Sequence, residues 1–528
     1  MALDRPRVEY RTAVDLVAEV RAGLIRIPPF QRGYRWESSD VVELFDSLAR
    51  GFPIGNLLLW RRPAPAAQLE VGPVPVDAPA SESALWVVDG QQRITSLVGA
   101  LIAAESAPDP RFRIYLDLDD GSFRSVGVRQ QPEPSWAPVS RLADPTTLLR
   151  WMRDNADLLS ERQLATADRA ANAIREYQIP TYVVSSPDEA PLVEIFRRIN
   201  DTGKPLTKAE VFAALHSGIA GDEPLDLRAL AQVPADSGFG ALDDRLALRC
   251  LLAFRGGDIF RADFRDEFSS PADRVDTFRA LAAALREVVA FLRAEGGVPH
   301  LRLLPYSHVL PVLVRFVRTH GAPEGRASAL LRRWLWRGAV AGTRAGGISV
   351  VDIRNQVAAA DTADQLGAAQ ALLRQVPPFP DVQPELDKPH LGHAMTKINV
   401  LGLLAANPLD LRTGEPIDIA RLLADGSPLR PIIKDSRTIL ADSIANRTIT
   451  GIGSGQTVQQ LLAQASPDVA ASHLVDALGQ QLLTQDADEF LARRAGAATI
   501  LIRSHIDRMA EWGARDGRAL SDLIHSVA

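Results

Sequence analysis

The pattern of apolar and polar residues changes near the middle of the chain. Up to about residue 216, short apolar runs such as GNLLLW at 55–60, WVVD at 86–89 and IPTYVV at 179–184 alternate with segments of helical spacing. Runs of this length are typical of buried strands, and apolar residues three and four positions apart are typical of amphipathic helices. From about residue 240 onward the spacing is almost wholly helical. The pattern therefore predicts an α+β protein, in which an α/β N-terminal domain precedes a mostly helical C-terminal half.

Proline-rich stretches subdivide this pattern. Residues 61–83 are rich in Pro and Ala and lie between two predicted strands, so we expect a surface loop there. A second proline-rich stretch at 376–389 interrupts the helical spacing, and we expect a boundary near it because proline ends helices. The pattern as a whole predicts three domains, at residues 1–235, 236–378 and 379–528.

Composition narrows the class of protein. The 528 residues include 59 Lys and Arg and 65 Asp and Glu, and the net charge of −6 does not indicate a histone-like protein but permits a local basic groove. The single cysteine, Cys250, excludes an intramolecular disulfide and argues against a thiolate zinc cluster. The N-terminus lacks an apolar signal core, and no run reaches the roughly 18 apolar residues of a membrane helix. We therefore expect a cytoplasmic protein that does not enter membranes.

The sequence Asp-Gly-Gln-Gln-Arg at 89–93 follows a predicted strand and opens a predicted helix. Gly90 permits a sharp turn, and the first N–H groups of a helix lack intrahelical partners, so they form a site for an anion such as phosphate. Arg93, one turn into the helix, is placed to donate two hydrogen bonds to phosphate oxygens. This pattern predicts a phosphate-binding junction.

The other residues of this junction fit catalysis, but they also fit a structural role. Asp89 would be repelled by phosphates unless a divalent cation lies between them or the carboxylate orients an attacking water. Gln91 and Gln92 are candidates for positioning that water or for contacting a base or ribose. Alternatively, Asp89 caps the helix, Arg93 pairs with Asp89 or a neighbouring domain, and the glutamines face solvent.

Two further stretches carry candidate binding residues. The loop PPFQRGYRW at 28–36 combines hydrogen-bonding, cationic and stacking side chains that suit a nucleotide or a nucleic-acid backbone, namely Gln31, Arg32, Tyr34, Arg35 and Trp36. Its alternative is a rigid loop with Phe30 and Trp36 buried and the arginines in solvent. The segment 193–215 predicts two helices joined by NDTGKPLT, with Asn200 and Lys204 in or beside the connection.

These three stretches, in this order, resemble the family of defence proteins named after the Asp-Gly-Gln-Gln-Arg motif. The N-terminal domain of that family belongs to the ParB/sulfiredoxin-like superfamily, and GmrSD-type modification-dependent restriction enzymes and the SspE effector of phage defence are members. The resemblance covers roughly residues 10–216 and rests on IPPFQRGYRWE, GFPIGNLLLW, VVDGQQRITSL and FRRINDTGKPLTKAEV.

The resemblance implies that residues from Gly90 to Arg93 bind the phosphates of a nucleotide and that hydrolysis accompanies binding. It therefore implies a nucleoside triphosphate of unspecified base, together with Mg²⁺. We assign catalysis to Asp89, Gln91, Gln92 and Arg93. We assign nucleotide binding to Gln31, Arg32, Gly90, Gln92, Arg93, Asn200 and Lys204, and DNA binding to Arg32, Arg35 and Lys204.

The resemblance also implies a helical C-terminal half that ends in an HNH-type nuclease. Residues 428–449 are similar to that scaffold, with Asn446 in the middle position. Leu429, Arg430 or Pro431 occupies the place of the catalytic histidine, and GIGSGQTV at 451–458 lacks the second asparagine. Arginine cannot deprotonate water near neutral pH or bind a divalent ion. We therefore expect a degenerate nuclease site at Arg430 and Asn446.

The histidines elsewhere in this half are candidates to replace the missing one. His390 and His393 are spaced to share a helix face and to bind a metal, although a polar helix face is the commoner reason for such spacing. His473 and His505 stand alone on helical patterns, and we expect structural roles for them. The metal ligands therefore stay unassigned.

We predict an NTP-hydrolysing component of a DNA-directed restriction or anti-phage system, acting on modified or phage DNA with possible partner defence proteins. One alternative is an active GmrSD-type endonuclease. Another is a non-enzymatic DNA-binding or assembly factor in which the nucleotide acts only as a conformational latch.

Overall fold

The computed structural model describes residues 7–27, 34–103, 105, 107–185, 227–261, 267–362, 364–387, 389–424, 426, 428–434, 438–451 and 456–517. The chain forms two compact units, Met1–Asp222 and Glu223–Ala528. The predicted division into three domains, with a further boundary inside the second unit, stays a prediction. The predicted helices of 193–215 lie outside the described residues.

The N-terminal unit is built on a mixed five-stranded sheet, which confirms the α+β class. The described strands of the whole unit are β1 (Arg7–Thr12), β2 (Ile25–Arg26), β3 (Leu57–Ala64), β4 (Ala67–Val71), β5 (Val74–Ala78), β6 (Ser81–Asp89), β7 (Ile114–Asp117), β8 (Phe123–Ser125), β9 (Trp136–Pro138) and β10 (Gln178–Val184). The main sheet has the order β1-β10-β3-β6-β2, and β8-β7-β9 form a second, smaller sheet. Because β3 and β6 are antiparallel, the start of β3 lies beside the end of β6.

Six helices accompany these strands in the described part of the unit: α1 (Ala13–Arg21), α2 (Ser38–Arg50), α3 (Gln91–Ala103), α4 (Val139–Leu142), α5 (Pro145–Asp154) and α6 (Glu161–Glu176). Their apolar residues form one core with alternate residues of the sheet, including Phe45, Leu59, Val87 and Ile94. In helix α3 every residue from Ile94 to Leu101 is buried. The start of α3 is therefore fixed against the sheet.

The surface loop expected at 61–83 is wrong, because this segment holds the end of β3, the β4–β5 hairpin and the start of β6. Buried and exposed residues alternate along β5, which is the two-residue period of a strand. Prolines are tolerated at strand edges and turns, so they did not exclude strands here. The buried Arg26 fixes the segment by donating to the carbonyls of Pro65 and Pro79.

The second unit is mostly helical, as predicted. Its described helices are α7 (Leu227–Asp236), α8 (Asp244–Arg255), α9 (Pro271–Ala294), α10 (Val309–His320), α11 (Gly325–Arg344), α12 (Val350–Ala359), α13 (Gln365–Arg374), α14 (Ala394–Leu404), α15 (Ile419–Ala424), α16 (Val458–Gln464), α17 (Pro467–Ser472), α18 (Ala477–Gln485) and α19 (Ala487–Ala510). Helix α19 packs against α11 and α14. Strands β11 (Leu429–Pro431) and β12 (Arg447–Ile449) form a short antiparallel ribbon. Among the helices that the structure describes, none combines the length and the apolar character of a membrane-spanning helix.

Candidate nucleotide site

The turn between strand β6 and helix α3 is the centre of the candidate site. Gly90 makes this turn with φ 96°, in the left-handed region that favours glycine. An added Cβ at Gly90 would lie 2.2 Å from Cδ2 of Leu57, so the neighbouring strand approaches closely. The Ile94 N–H donates to the Gly90 carbonyl over 3.0 Å as the helix begins. The N–H groups of residues 91–93 precede that bond and give this end of the helix a partial positive charge.

Arg93 connects the first turn of α3 to the loop before β3. Its Nη1 donates to the carbonyls of Ile54 at 3.2 Å and Asn56 at 2.7 Å, and its Nη2 donates to Oδ2 of Asp89 at 3.2 Å. Within the described ranges, the N–H on Nε and one N–H on Nη2 have no protein acceptor, and the side chain is 16% exposed. The pairing with Asp89 is one of the alternatives that the sequence left open. Among the described residues, Arg93 therefore keeps two N–H groups that can donate to an anion.

Asp89 supplies a carboxylate at the same turn. Its side chain is 34% exposed, and Oδ2 accepts the hydrogen bond from Arg93. No group of three or more His, Cys, Asp or Glu side chains in the described part of the chain is arranged to hold a metal ion. Asp89 is thus a single carboxylate, and one carboxylate is compatible with Mg²⁺, which in nucleotide sites is usually bound by one or two carboxylates together with phosphate oxygens and water.

Gln92 attaches the segment 34–36 to this turn. Its Oε1 accepts hydrogen bonds from the N–H groups of Arg35 at 2.7 Å and Trp36 at 3.1 Å. The structure thereby brings the end of the predicted binding loop to the predicted phosphate-binding junction. The Oε1 atom has both lone pairs engaged, so water positioning by Gln92 would have to use its amide nitrogen.

Tyr34 is held against helix α3 by its hydroxyl. The hydroxyl lies 2.7 Å from Oγ of Ser96, and Ser96 donates to the Gln92 carbonyl at 2.7 Å. Burial raises the pKa of Tyr34 to about 12, against the lowering effects of the Ser96 hydrogen bond and the positive charge of Arg111. The phenol is therefore neutral near pH 7 and acts as a hydrogen-bonding anchor.

Several predicted residues cannot be placed. Gln31, Arg32, Asn200 and Lys204 lie outside the described residues, and their nucleotide and DNA contacts stay predictions. Of the placed ones, Arg35 is exposed, and the first residue of α3, Gln91, is half-buried.

Sequence reasoning missed two anchors of the site. Arg111 donates to the carbonyl of Tyr34, which is 77 positions away in the chain. Tyr177 donates from its hydroxyl to the Phe52 carbonyl at 2.7 Å and accepts from the Ile54 N–H at 3.3 Å. Both residues act on main-chain atoms of distant loops, and the local sequence around them carries no motif that signals such contacts.

In the C-terminal unit, the ribbon places Arg430 opposite Thr448. Asn446, just before β12, is 1% exposed and uses its whole amide on neighbouring backbone. Its Oδ1 accepts from the Ile433 N–H at 2.9 Å, and its Nδ2 donates to the carbonyls of Ile433 and Ala441 at 3.0 Å. The amide of Asn446 is therefore engaged in holding the connection between the strands.

The candidate histidines of the second unit do not form a metal-binding pair on one helix face. His390 and His393 do not share a helix face, because His393 is the N-cap of α14 and His390 lies in the turn before it. The ring of the buried His473 lies 2.7 Å from Oγ1 of Thr448 and 2.7 Å from the Leu409 carbonyl. Burial, together with the nearby positive charge of Arg494, lowers the pKa of His473 to about 4, against the raising effect of the hydrogen bond to the Leu409 carbonyl. This geometry agrees with a structural role for His473.

Two comparisons with known proteins found similarity, and one of them matches the N-terminal unit. The family model of the GmrSD restriction endonuclease N-terminal domain matches residues 14–217, which supports a GmrSD-type domain in that part of the chain. The chain is also 23% identical over 246 residues to the uncharacterized protein MJ0686 of Methanocaldococcus jannaschii. That alignment covers 39% of this chain and 41% of the relative, so the chain spans about two-fifths of the protein it matches.

Proposed function

We propose that the N-terminal unit binds a nucleoside triphosphate at the turn from Asp89 to Arg93 and hydrolyses it. We propose further that the protein acts in a DNA-directed restriction or anti-phage system. The match to the N-terminal domain of a restriction endonuclease supports the second part. The first part rests on the convergence of a helix N-terminus, a carboxylate and an arginine that, among the residues the structure describes, keeps two N–H groups without a protein acceptor.

Each residue has a stated task in this proposal. Arg93 and the N–H groups of residues 91–93 bind phosphate oxygens, because a guanidinium and a helix N-terminus both stabilise negative charge. Asp89 orients the attacking water or holds Mg²⁺, which would neutralise phosphate charge when bound. DNA is the proposed macromolecular partner, in modified or phage form, and the exposed Arg35 is one contact to its backbone. Partner defence proteins are part of the proposal as well.

Binding is tested by isothermal titration of ATP and GTP into full-length protein. Arg93→Ala should weaken binding by about 1.5–3 kcal/mol, the range for a charge-assisted hydrogen bond. Arg93 also holds the carbonyls of Ile54 and Asn56, so the control is Tyr177→Phe, which removes the hydroxyl that bonds to Phe52 and Ile54 in the same loop. An equal loss of affinity in both variants would assign the effect to the loop and contradict phosphate contact by Arg93.

Turnover is tested by phosphate release with and without DNA. Asp89→Asn keeps an oxygen for Arg93 but removes the charge, so nucleotide affinity should persist or rise while hydrolysis is lost. Asp46→Asn is the matched control, because Asp46 forms the same i,i+4 pair with Arg50 in helix α2. Hydrolysis at the wild-type rate in Asp89→Asn would leave Asp89 with a structural role. Binding without any hydrolysis in the wild type would favour the nucleotide latch.

A second candidate is an active endonuclease, because the matching family is a restriction endonuclease. Incubation of plasmid and phage DNA with Mg²⁺ or Mn²⁺ tests this candidate.

A further inference from the structure

The backbone on both sides of Arg35 is held by two side chains from different parts of the unit. Gln92 accepts from the N–H groups of Arg35 and Trp36. Arg111 donates from Nη1 to the carbonyls of Tyr34 at 3.2 Å and Trp36 at 3.4 Å. All four hydrogen bonds go to main-chain atoms, so they fix the course of the segment whatever side chain stands at position 35. We call this pair of side chains the backbone clamp.

Arg111 is itself fixed in place. Its Nε and Nη2 donate to Oδ2 of Asp109 at 2.9 and 2.6 Å, which are charge-assisted hydrogen bonds. The hydrogen bond from Arg111 lowers the pKa of Asp109, so the carboxylate stays charged. The guanidinium also lies 4.8 Å from the centroid of the Tyr34 ring, within the range of a cation–π contact.

Hydrogen bonds through helix α3 connect Tyr34 to Gln92. Tyr34 reaches Ser96 through its hydroxyl, and Ser96 bonds to the carbonyl of Gln92, the other half of the clamp. Ordering a segment of loop costs conformational entropy in proportion to the residues fixed. A segment already ordered before its ligand arrives binds more tightly than a flexible one, because that entropy is not lost on binding.

In the segment that the backbone clamp holds, the side chain of Arg35 is exposed, whereas Tyr34 and Trp36 on either side are partly buried against the core. A guanidinium that extends from a fixed backbone suits recognition of a phosphate group. We propose that Gln92 and Arg111 are positioning residues that hold the backbone around Arg35 so that its side chain is presented to a nucleic-acid phosphate. The proposal rests on DNA contact by Arg35 in the proposed function, and it gives Gln92 a task that acts through the loop.

The clamp is tested first without any ligand, by amide hydrogen exchange of the full-length protein. In Arg111→Gln, the amides of Arg35 and Trp36 should exchange at least about tenfold faster, because loss of the carbonyl contacts opens the segment more often. Arg113→Gln is the matched control, because Arg113 is close by but donates to Glu105 instead. Unchanged exchange at Ile94 in the core shows that the unit is folded, and Arg111→Lys replaces Arg111→Gln if it is not. Unchanged exchange at Arg35 and Trp36 would overturn the clamp.

Presentation of Arg35 is tested by a double-mutant cycle on binding of a DNA duplex at several salt concentrations. Arg35→Ala should reduce the slope of log affinity against log salt by about 0.9, the value for one lost phosphate contact. Arg111→Gln should weaken binding in the wild type but have no further effect in Arg35→Ala, because it acts through that side chain. Equal effects of Arg111→Gln in both backgrounds would overturn the positioning role.

The same cycle separates this proposal from the proposed function. Faster exchange together with a normal salt slope in Arg35→Ala would leave the clamp in place but overturn presentation of Arg35, while nucleotide hydrolysis stays open to its own test. If the wild-type protein hydrolyses no nucleotide in any assay, but the double-mutant cycle gives the expected DNA-binding results, only the proposed nucleotide hydrolysis is contradicted.

Discussion

The backbone conformation of Gly90 and its close contact with Leu57 both favour glycine at the position before helix α3. Its φ of 96° is unfavourable for residues with a Cβ, and the place of that Cβ is 2.2 Å from a methyl carbon of Leu57. The contact arises because strand β3 runs beside β6, with Leu58 opposite Asp89. Both the direction of the helix N-terminus and the position of Arg93 therefore depend on this glycine.

Gly90→Ala should destabilise the N-terminal unit by roughly 2–4 kcal/mol, from backbone strain of about 1–2 kcal/mol and overpacking. Gly51→Ala is the matched control, because Gly51 also has a positive φ of 72°, but among the described residues no atom beyond its chain neighbours lies within 4 Å of the added Cβ. Differential scanning calorimetry measures the shift in the melting temperature of this unit. Equal shifts in melting temperature in the two variants would show that the Leu57 side chain moves away from the added methyl group with little loss of stability.

At this scale the sequence predicted the turn at Gly90 and the place of Arg93 in the first turn of α3, because both follow from a strand, a glycine and a helix in succession. It could not predict the acceptors Ile54 and Asn56, which reach Arg93 only because β3 pairs with β6. The contact between Gln92 and Arg35 was equally hidden, since it joins positions 57 apart.

Among the elements, the β11–β12 ribbon depends on one buried amide. The side chain of Asn446 satisfies the N–H and carbonyl of Ile433 and the carbonyl of Ala441. Arg494 of helix α19 donates to the neighbouring carbonyls of Ile444 and Ala445, and burial lowers its pKa to about 10, so the guanidinium stays charged near pH 7. The ribbon is thus connected to α19 through main-chain acceptors.

Asn446→Ala should destabilise the second unit by about 3 kcal/mol or more, since it leaves a buried N–H and two carbonyls without their partner. Urea unfolding of the full-length protein measures the loss. The control Asn355→Ala, at an exposed helix position, should change stability by less than about 0.5 kcal/mol. If Asn446→Ala changes the free energy of unfolding as little as this control does, water replaces the hydrogen bonds of the amide.

Elements were predictable where their period was regular, as in the helices of the second unit. The β4–β5 hairpin was not, because the frequent prolines of 61–83 are as typical of loops as of edge strands. His390 and His393 failed as a helix-face pair for a related reason: the sequence spacing fitted a helix, but α14 begins only at Ala394.

At the scale of the whole molecule, the two units should differ in their response to acid. Burial lowers the pKa values of His308, His473 and His505 to about 4, with the positive charges of Arg249, Arg494 and Arg508 as further causes. All three belong to the second unit. A lowered pKa means that the unfolded chain takes up protons first as pH falls. The stability from these neutral histidines is therefore complete above about pH 6.5 and is lost as pH falls toward about 4.

The second unit should accordingly lose roughly 2 kcal/mol per buried histidine between pH 7.5 and pH 5, from about 1.4 kcal/mol per unit of pKa shift. Calorimetry across this range measures the shift, with the transition of the N-terminal unit assigned by its response to Gly90→Ala. A second-unit transition that stays constant from pH 7.5 to pH 5 would contradict the expected burial of these rings.

The segment that resembles a nuclease lacks the usual residues for DNA cleavage. Residues 428–458 contain no histidine, and within them the amide of Asn446 is engaged with backbone groups rather than available to a metal. Asp442 is exposed and pairs with Arg447, whereas Asp435 lies outside the described residues. The segment thus lacks the usual neutral-pH base for activating water, and a metal held by Asp442 or Asp435 is the remaining chemical route. We expect purified protein to leave plasmid and phage DNA intact with Mg²⁺ or Mn²⁺ and nucleotide. Because Asn446→Ala should also disturb folding, the informative variant is Asp442→Asn, and nicking that survives purification but disappears in folded Asp442→Asn would establish a working nuclease.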